Sequence, residues 1–199
     1  MAAGFVLVGG RSTRMGREKA LLPFRGRPLA VWQAETLSAV CDRVSVVGKE
    51  PILDDPRFRF VRDLDASPAA LLGIEAALAS TGDEWNLVLA VDLPCVPPPF
   101  LEELLRVARA SGCRALAPVS GGKVQALCSA WRRDALDAVR SRIRGGRLSV
   151  VGALEEAGAL IVPEEETASF PGGSPASFLN VNTPEEHAAL ARVEAGFAA

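Results

Sequence analysis

Short apolar runs alternate with longer segments of helical periodicity along this chain, and no other feature of the sequence constrains the fold as strongly. Leu87 to Val91 is the clearest run, with five apolar residues in succession, as expected for a strand buried on both faces of a sheet. Pro68 to Ala79 instead carries its apolar residues at helical spacing. Such alternation is typical of βαβ units. We therefore predict a single-domain, Rossmann-like α/β fold with a mainly parallel sheet and helices on both faces.

The same criteria assign the other elements of the chain. Predicted strands are Phe5 to Val8, Val44 to Val47, Phe58 to Val61, Arg114 to Pro118 and Gln125 to Trp131. Predicted helices are Pro28 to Val40, Leu101 to Ala108 after a triple proline, Asp134 to Ser141, and Leu148 to Ala157. Thr167 to Ser177 is rich in Gly, Pro and Ser and is predicted as a loop. A capping box at Thr183-Pro184-Glu185-Glu186 predicts that a last helix begins there.

Composition excludes several classes of protein. The 199 residues are 49% hydrophobic and 23% charged, a balance that allows a buried core and argues against disorder. The net charge of −2 lacks the basic excess of nucleic-acid-binding proteins, so we expect no nucleic acid partner. Apolar runs are far shorter than the roughly 20 residues of a membrane-spanning helix, and the N-terminus has no basic region typical of a signal peptide. We therefore expect a cytoplasmic protein with no membrane partner.

Cysteine and histidine usage gives no sign of a metal centre or a hydrolase. Cys41, Cys95, Cys113 and Cys128 stand far apart, and no pair has the C-x-x-C spacing of a zinc or redox site. We interpret these thiols as core residues of a protein in a reducing compartment. His187 is the only histidine and falls in a segment that resembles a solvated helical turn, so we do not expect a histidine-based hydrolase.

A basic, glycine-rich stretch follows the first predicted strand, from Gly9 to Lys19 (GGRSTRMGREK). Glycine lets backbone N–H groups approach phosphate oxygens closely, and the arginines and the lysine would neutralise the phosphate charge. The stretch has neither the Walker A pattern nor the G-x-G-x-x-G spacing of dinucleotide-binding folds. On composition alone, a solvated basic loop is the alternative. We expect Lys19 to be a loop lysine that contributes little packing.

Polar side chains stand at the ends of other predicted strands. Asp92 follows the strongest strand, where open α/β sheets bind ligands, and a single carboxylate together with phosphate oxygens commonly holds Mg²⁺. The alternative is that Asp92 caps the turn before Pro94. Asp63 follows the third predicted strand and is ambiguous in the same way. Asn180 and Asn182 share one face of an extended segment, where they could bind a polar ligand or satisfy a turn.

Together these stretches resemble the molybdenum cofactor guanylyltransferases, within the nucleotidyltransferase group of α/β proteins. The family opening, L-A-G-G-x-S-x-R-M-G-x-D-K-A-L-L, stands here as LVGGRSTRMGREKALL over residues 7–22. The metal-site strand end of the family resembles Asp92-Leu93-Pro94, and its late N-V-N-T-P-E-E matches Asn180 to Glu186 without a change. The resemblance extends in order from the first strand to the last helix. The opening motif points to the nucleotidyltransferase group, and its pairing with the late motif narrows the resemblance to this family.

The chain departs from the family pattern at several places. Glu18 replaces the usual Asp before the lysine, which keeps the charge on a longer side chain. Ala69-Ala70 replaces the Gly-Pro of the family's G-P-L-x-G-I motif. Val47 or Gly48 stands where some members carry Asn. These departures concern the contacts to the nucleoside rather than the phosphate chemistry.

The resemblance implies a nucleotidyltransferase fold over residues 1–199, with a nucleotide-binding half at 1–95 and an acceptor-binding half at 96–199. It implies transfer of GMP from GTP to the terminal phosphate of Mo-loaded molybdopterin, with Mg²⁺ as the cofactor. Molybdoenzymes or cofactor-delivery proteins would then receive the product. The implied catalytic residues are Arg14, Lys19 and Asp92, with Asp92 as the metal ligand. The implied nucleotide-binding and cofactor-binding residues are Leu7, Val8, Gly9, Gly10, Lys19, Asp63, Asp92, Asn180 and Asn182.

The glycine pair Gly9-Gly10 bears on which nucleotide base the protein binds. Relatives that transfer CMP resemble L-A-A-G, with Ala where this chain has Gly9, and the absent methyl next to Gly10 leaves more room for a purine.

Two alternative functions stay open. One alternative is transfer of a nucleotide to another phosphorylated acceptor, meaning CMP to molybdopterin or a nucleotide to a sugar or alditol phosphate. The intact segment from Asn180 to Glu186 argues against a sugar or alditol phosphate acceptor. The other alternative is a catalytically silent nucleotide-binding domain, which the presence of Lys19 and Asp92 argues against.

Overall fold

The computed structural model describes residues 1–8, 16–63, 67 and 69–181, and residues 16–18 by their backbone alone. The strands are β1 (Ala2–Leu7), β2 (Pro23–Phe24), β3 (Arg27–Pro28), β4 (Arg43–Gly48), β5 (Arg59–Arg62), β6 (Trp85–Ala90), β7 (Ala115–Ser120), β8 (Lys123–Val124), β9 (Cys128–Arg132) and β10 (Leu160–Val162). The helices are α1 (Gly16–Leu21), α2 (Leu29–Ser38), α3 (Ala70–Ala79), α4 (Pro98–Ser111), α5 (Leu136–Arg144), α6 (Val150–Ala157) and α7 (Glu164–Ser169).

The main sheet runs in the order β10-β7-β9-β6-β1-β4-β5, and β8 pairs with β7 at one end of that strand. Along this path of the described strands, β9 alone is antiparallel to its neighbours. The carboxyl ends of the parallel strands therefore lie at one edge of the sheet, here called the carboxyl edge. The prediction of a single-domain α/β fold with a mainly parallel sheet is confirmed.

Helices cover both faces of the sheet because successive residues of its central strands point to opposite sides. Val6 of β1 and Leu87 of β6 belong to a core shared with α2 and α4. Phe5 of β1 and Val88 of β6 belong to a second core, shared with α3, α5 and α6. The unbroken apolar runs of these strands reflect burial on both faces, as the sequence analysis predicts.

The second half of the chain departs most from the predictions. The segment predicted as a strand from Gln125 begins as a turn, because Cys128 N–H donates to the Gln125 carbonyl at 2.9 Å. The strand itself starts at Cys128 and fills the gap between β6 and β7. The predicted loop from Thr167 to Ser177 is partly helical, since α7 extends to Ser169 and a 3₁₀ turn spans Pro175–Phe178.

Several local elements follow directly from sequence signals. Pro98 starts α4, where its missing N–H costs no hydrogen bond, and Gly112 ends the helix in the left-handed conformation at φ 69°. Ser149 caps α6 by accepting a hydrogen bond from Gly152 N–H at 3.3 Å. The helix predicted to begin at Thr183 lies outside the described residues. Within the described ranges, every helix is too short or too polar to cross a membrane.

Candidate active site

Lys19 and Asp92 meet at the centre of the carboxyl edge. Asp92 follows β6, and Lys19 lies on α1, so the pair joins residues 73 positions apart in the chain. The Lys19 Nζ donates to the Asp92 Oδ2 at 3.1 Å. Lys19 is only 8% exposed, which contradicts the expectation of a loop lysine with little packing. Its burial has a physical reason, because the carboxylate compensates the charge that the lysine brings into the protein.

The turn that carries Asp92 is braced by helix α2. The Gln33 side-chain amide donates to the carbonyls of Ala90 at 3.0 Å and of Leu93 at 2.8 Å. The Trp32 indole N–H donates to the Pro94 carbonyl at 2.9 Å. The sequence analysis missed both residues, although a glutamine on the apolar face of a predicted helix is itself a signal that it serves a buried partner. These two side chains hold the turn, which leaves the Asp92 carboxylate to Lys19 and argues against the alternative in which Asp92 only caps the turn.

The C-terminal segment reaches the same place. Val181 is fully buried, and its N–H donates to the Asp92 carbonyl at 3.0 Å. Asn180, immediately before it, is exposed beside this contact. The structure therefore brings two predicted site residues, Asn180 and Asp92, into one neighbourhood across 88 residues of sequence. Asn182 lies outside the described residues.

The end of β1 lies between Asp92, which follows β6, and the ends of β4 and β5. Val91 N–H donates to the Leu7 carbonyl at 3.1 Å, and Val8 N–H donates to the Val47 carbonyl at 3.0 Å. The Leu7 side chain is buried in the core on the α3 side, so a ligand could reach Leu7 only through its backbone. Val8 explains one departure from the family pattern, because a Cβ at Gly48 would lie 2.8 Å from Val8 Cγ2.

Asp63 lies farther along the edge, in a second ion pair. The Lys49 Nζ donates to the Asp63 Oδ2 at 2.7 Å, and Asp63 N–H donates to the Gly48 carbonyl at 2.8 Å. Asp63 follows β5 and Asp92 follows β6, which are separated by β1 and β4. With strands about 4.8 Å apart, the two acids are roughly 14 Å apart along the edge. They therefore cannot share one metal ion, and Lys49 is a charged residue of the edge that the sequence analysis missed.

The remaining predicted residues of the site lie outside the described ranges. These are Gly9, Gly10 and Arg14, together with Asn182. Within the described ranges, no cluster of three or more His, Cys, Asp or Glu side chains could hold a metal ion alone. Asp92 nevertheless suits Mg²⁺, because that ion commonly takes one or two carboxylates and completes its shell with phosphate oxygens and water. Its side chain is 27% exposed at the mouth of the edge.

Two of the four thiols are confirmed as core residues. Burial raises the pKa of the Cys128 thiol to about 12, and burial together with the nearby Asp42 carboxylate raises the pKa of the Cys41 thiol to about 12. Both therefore stay protonated at neutral pH and are unreactive. Cys95 and Cys113 are half-buried. Cys95 lies in the loop between Asp92 and α4.

Comparison with known proteins identifies the family. A match to the "MobA-like NTP transferase domain" extends over residues 4–158, which takes in β1, the Lys19–Asp92 pair and the Asp63 region. The chain belongs to this family. It is therefore a nucleotidyltransferase, as the resemblance implies.

Relatives of the MobA-like chain match over nearly their whole length. A protein of Mycobacterium avium (strain 104) named "Probable molybdenum cofactor guanylyltransferase" is 30% identical, with 97% of this chain and 96% of that protein covered. The crystal structure of molybdopterin-guanine dinucleotide biosynthesis protein A from Archaeoglobus fulgidus is 27% identical, with a TM-score of 0.82 and coverage of 98% and 100%. The 2-C-methyl-D-erythritol 4-phosphate cytidylyltransferase of Thermus thermophilus, at 17% identity and a TM-score of 0.70 over 96% and 100%, shares the fold.

Proposed function

We propose that the protein transfers GMP from GTP to the terminal phosphate of molybdopterin, giving the guanine dinucleotide form of the cofactor and pyrophosphate. The observation that carries the proposal is the Lys19–Asp92 pair at the carboxyl edge of a MobA-like domain, with Asn180 beside it. The names of full-length relatives supply the substrates. We expect molybdoenzymes or cofactor-delivery proteins to receive the product.

The reaction asks the protein for alignment and charge stabilisation rather than for a base. The acceptor phosphate is largely a dianion at pH 7, because the second pKa of a phosphate monoester is about 6. One of its oxygens attacks the α-phosphorus of GTP, a new P–O bond forms, and the bond to the β-phosphate oxygen breaks. Pyrophosphate leaves with the electron pair. No proton has to be removed from the nucleophile.

Lys19 and Arg14 would stabilise the charge that develops on the leaving pyrophosphate. Lys19 is suited to this role because helix α1 and the Asp92 carboxylate hold its ammonium in place before the ligand binds. Mg²⁺, held by Asp92 and by phosphate oxygens, would supply further charge neutralisation. Asn180, and Asn182 after it, would position the acceptor phosphate.

Asp63 and Gly9-Gly10 would contact the nucleoside. The separation of roughly 14 Å between Asp63 and Asp92 leaves room for a nucleoside at one end of the edge and its phosphates at the other. We expect residues 1–95, which carry both acids, to bind the nucleotide, and residues 96–199, which carry Asn180, to bind the acceptor phosphate. We place the reaction in the cytoplasm, where GTP and reduced thiols are both abundant.

A nucleotide-transfer assay tests the proposal. The purified protein is incubated with Mg²⁺, molybdopterin and either radiolabelled GTP or radiolabelled CTP, and pyrophosphate and labelled dinucleotide are measured. We expect GTP to bind at least about tenfold tighter than CTP, which corresponds to ~1.4 kcal/mol. Preference for CTP would indicate CMP transfer. Turnover only with sugar or alditol phosphates would indicate another acceptor, and absence of pyrophosphate with every acceptor would indicate a silent binding domain.

A further inference from the structure

A cavity opens beside the Asp92 turn. It has a volume of about 580 Å³ and lies between the β2–β3 hairpin, helix α2, the loop after Asp92 and the 3₁₀ turn Pro175–Phe178. We call it the aromatic cleft and define it by Phe24, Arg25, Trp32, Pro94, Cys95 and Leu179. Its walls are mainly apolar, and Leu179 is 49% exposed at its rim. Apolar concave sites with a few polar groups are the usual form of small-molecule sites.

Arg25 adopts a backbone conformation that its side chain disfavours. It has φ 47° at the tip of the β2–β3 hairpin, followed by Gly26 at φ 74°. Two-residue hairpin turns with positive φ at both positions favour Asn-Gly or Gly-Gly, because a longer side chain is strained there. Strain of this kind, of order 1–3 kcal/mol, is found most often at ligand clamps and active sites. The backbone of the turn therefore gives no reason for an arginine at this position.

The Arg25 side chain supplies a reason. Its guanidinium carbon lies 5.0 Å from the centre of the Trp32 ring and 5.7 Å from the centre of the Phe24 ring. The two rings contact each other edge to face at 5.3 Å. The Trp32 N–H is already bound to the Pro94 carbonyl, so the ring can offer a ligand its face but not its donor. A planar cation and an indole face at the mouth of an apolar cleft are suited to a flat conjugated ring.

The cleft lies within reach of the proposed reaction centre. Pro94, in its wall, is two residues after Asp92, a separation of at most about 7 Å along the chain. Leu179, in the opposite wall, directly precedes Asn180, and the two walls are joined by the Val181–Asp92 hydrogen bond of 3.0 Å. A ligand with its flat ring in the cleft could therefore extend a phosphate to the Asp92 region.

We propose that the aromatic cleft binds the pterin ring of the acceptor, stacked on the Arg25 guanidinium, which itself lies over the Trp32 ring. The inference rests on the proposed function for the identity of the acceptor. It assigns Arg25 and Trp32, both within residues 1–95, to acceptor recognition, so the acceptor contacts both halves of the chain, and it places the two residues outside the chemistry itself. Arg25 replaces water over the ring of the bound pterin, and this contact offsets the strain of the turn.

Protection of Cys95 from alkylation tests occupancy of the cleft without any turnover. The probe is pterin itself, without the phosphate side chain, added to the purified wild-type protein before a pulse of iodoacetamide and mass spectrometry. We expect pterin to slow modification of Cys95 at least about fivefold. Cys113 is half-buried outside the cleft and serves as the internal control, while the buried Cys41 and Cys128 remain unmodified. Equal modification of Cys95 with and without pterin would overturn the proposal.

Arg25→Asn tests the same site in the enzyme. Asparagine tolerates the left-handed conformation, so the variant should fold at least as stably as the wild type. We expect its KM for molybdopterin to rise about tenfold, as fits the loss of a cation stacked on a ring, while its KM for GTP stays unchanged. Arg25→Lys should fall between the two, because it keeps the charge and loses the planar group. Arg106→Asn, on the outer face of α4, is the matched control.

The outcomes separate this inference from the proposed function. Pterin protection of Cys95 without turnover on molybdopterin would reject the proposed function and leave pterin binding in the cleft established. Normal turnover with an unchanged acceptor KM in Arg25→Asn would reject the cleft and leave the function intact. A second copy of the chain covering the cleft would appear as a dimer in sedimentation that pterin does not disturb, and this result would also overturn the proposal.

Discussion

Two lysine–aspartate pairs lie at the same edge of the sheet, and they present opposite members to solvent. In the Lys19–Asp92 pair the lysine side chain is 11% exposed and the aspartate 27%. In the Lys49–Asp63 pair the lysine is 37% exposed and the aspartate 10%. The pair after β6 therefore offers a carboxylate to incoming ligands, whereas the pair after β4 and β5 offers an ammonium. The same two residue types give one position suited to a cation and another suited to an acceptor atom or an anion.

The largest loss of turnover is expected for a substitution at Asp92, whose carboxylate is the more exposed member of its pair. Asp92→Asn keeps the shape of the side chain but removes the charge that faces both Lys19 and the proposed metal. We expect turnover to fall about 10²–10³-fold, as for loss of one preorganised electrostatic contact. Initial rates of pyrophosphate release across a Mg²⁺ titration measure it.

Asp63→Asn is the matched control for Asp92→Asn, because it makes the same chemical change in the other pair. It should raise the KM for GTP and leave turnover at saturating GTP within a few fold. A fully active Asp92→Asn variant would show that Asp92 is structural, and a loss of turnover in both variants would erase the distinction between the pairs.

Lys19→Ala tests the buried member of the first pair. We expect turnover to fall at least about a hundredfold. Because Lys19 is buried and paired, we also expect a loss of about 1–2 kcal/mol in the free energy of unfolding. This corresponds to a melting temperature lower by several degrees in a chain of this size. Lys19→Arg should rescue poorly, since a planar fork does not fit where a compact ammonium sits.

Pyrophosphate release and thermal melts of the same samples decide between two roles for Lys19. A lower melting temperature with normal turnover would assign Lys19 to stability alone. An unchanged melting temperature with lost turnover would instead support the sequence-based expectation of a lysine with little packing.

Gln33→Met tests whether the two hydrogen bonds from Gln33 hold the turn that carries Asp92 in place. The substitution keeps the volume and removes the donors to the Ala90 and Leu93 carbonyls, while it also removes the Gln33 Oε1, a buried oxygen without a partner among the described residues. We expect turnover to fall about tenfold and the free energy of unfolding to fall by about 1–3 kcal/mol. A KM for GTP unchanged beside lowered kcat would assign Gln33 to the positioning of Asp92. Ser38→Ala, farther along α2 and outside the aromatic cleft, is the control for a polar change in the same helix.

The smallest effect is expected for a substitution of Lys49, the more exposed member of the Lys49–Asp63 pair. Lys49→Met removes the ammonium that neutralises Asp63 and keeps the apolar stem. We expect a rise of about fivefold in the KM for GTP, an unchanged kcat and a melting temperature within about 2 °C of the wild type, as for a partly exposed ion pair. Isothermal titration with GTP and with CTP measures the same change directly. Equal weakening for both nucleotides would show that Lys49 acts through charge and does not read the base.

The periodicity of apolar residues correctly predicted those strands and helices that depend mainly on interactions between residues close together in the chain. The apolar run after Trp85 had to be a buried strand, and the glycine-rich basic stretch and Asp92 both stood next to strand ends where ligands bind. These positions depend on periodicity and chain order, which a single sequence displays. The family resemblance rested on the same stretches, and the match over residues 4–158 confirmed it.

Tertiary structure alone decided which side chains meet. The Lys19–Asp92 pair, the Lys49–Asp63 pair and the hydrogen bonds from Gln33 to the Asp92 turn join segments whose relative positions depend on strand order. Strand β9 illustrates the reason, since it enters the sheet antiparallel between β6 and β7 and no periodicity in the sequence specifies that place. The sequence by itself determined which segments are strands and which residues stand at their ends. Long-range packing determined the exposure of each charge, because burial depends on neighbours that are distant in the chain.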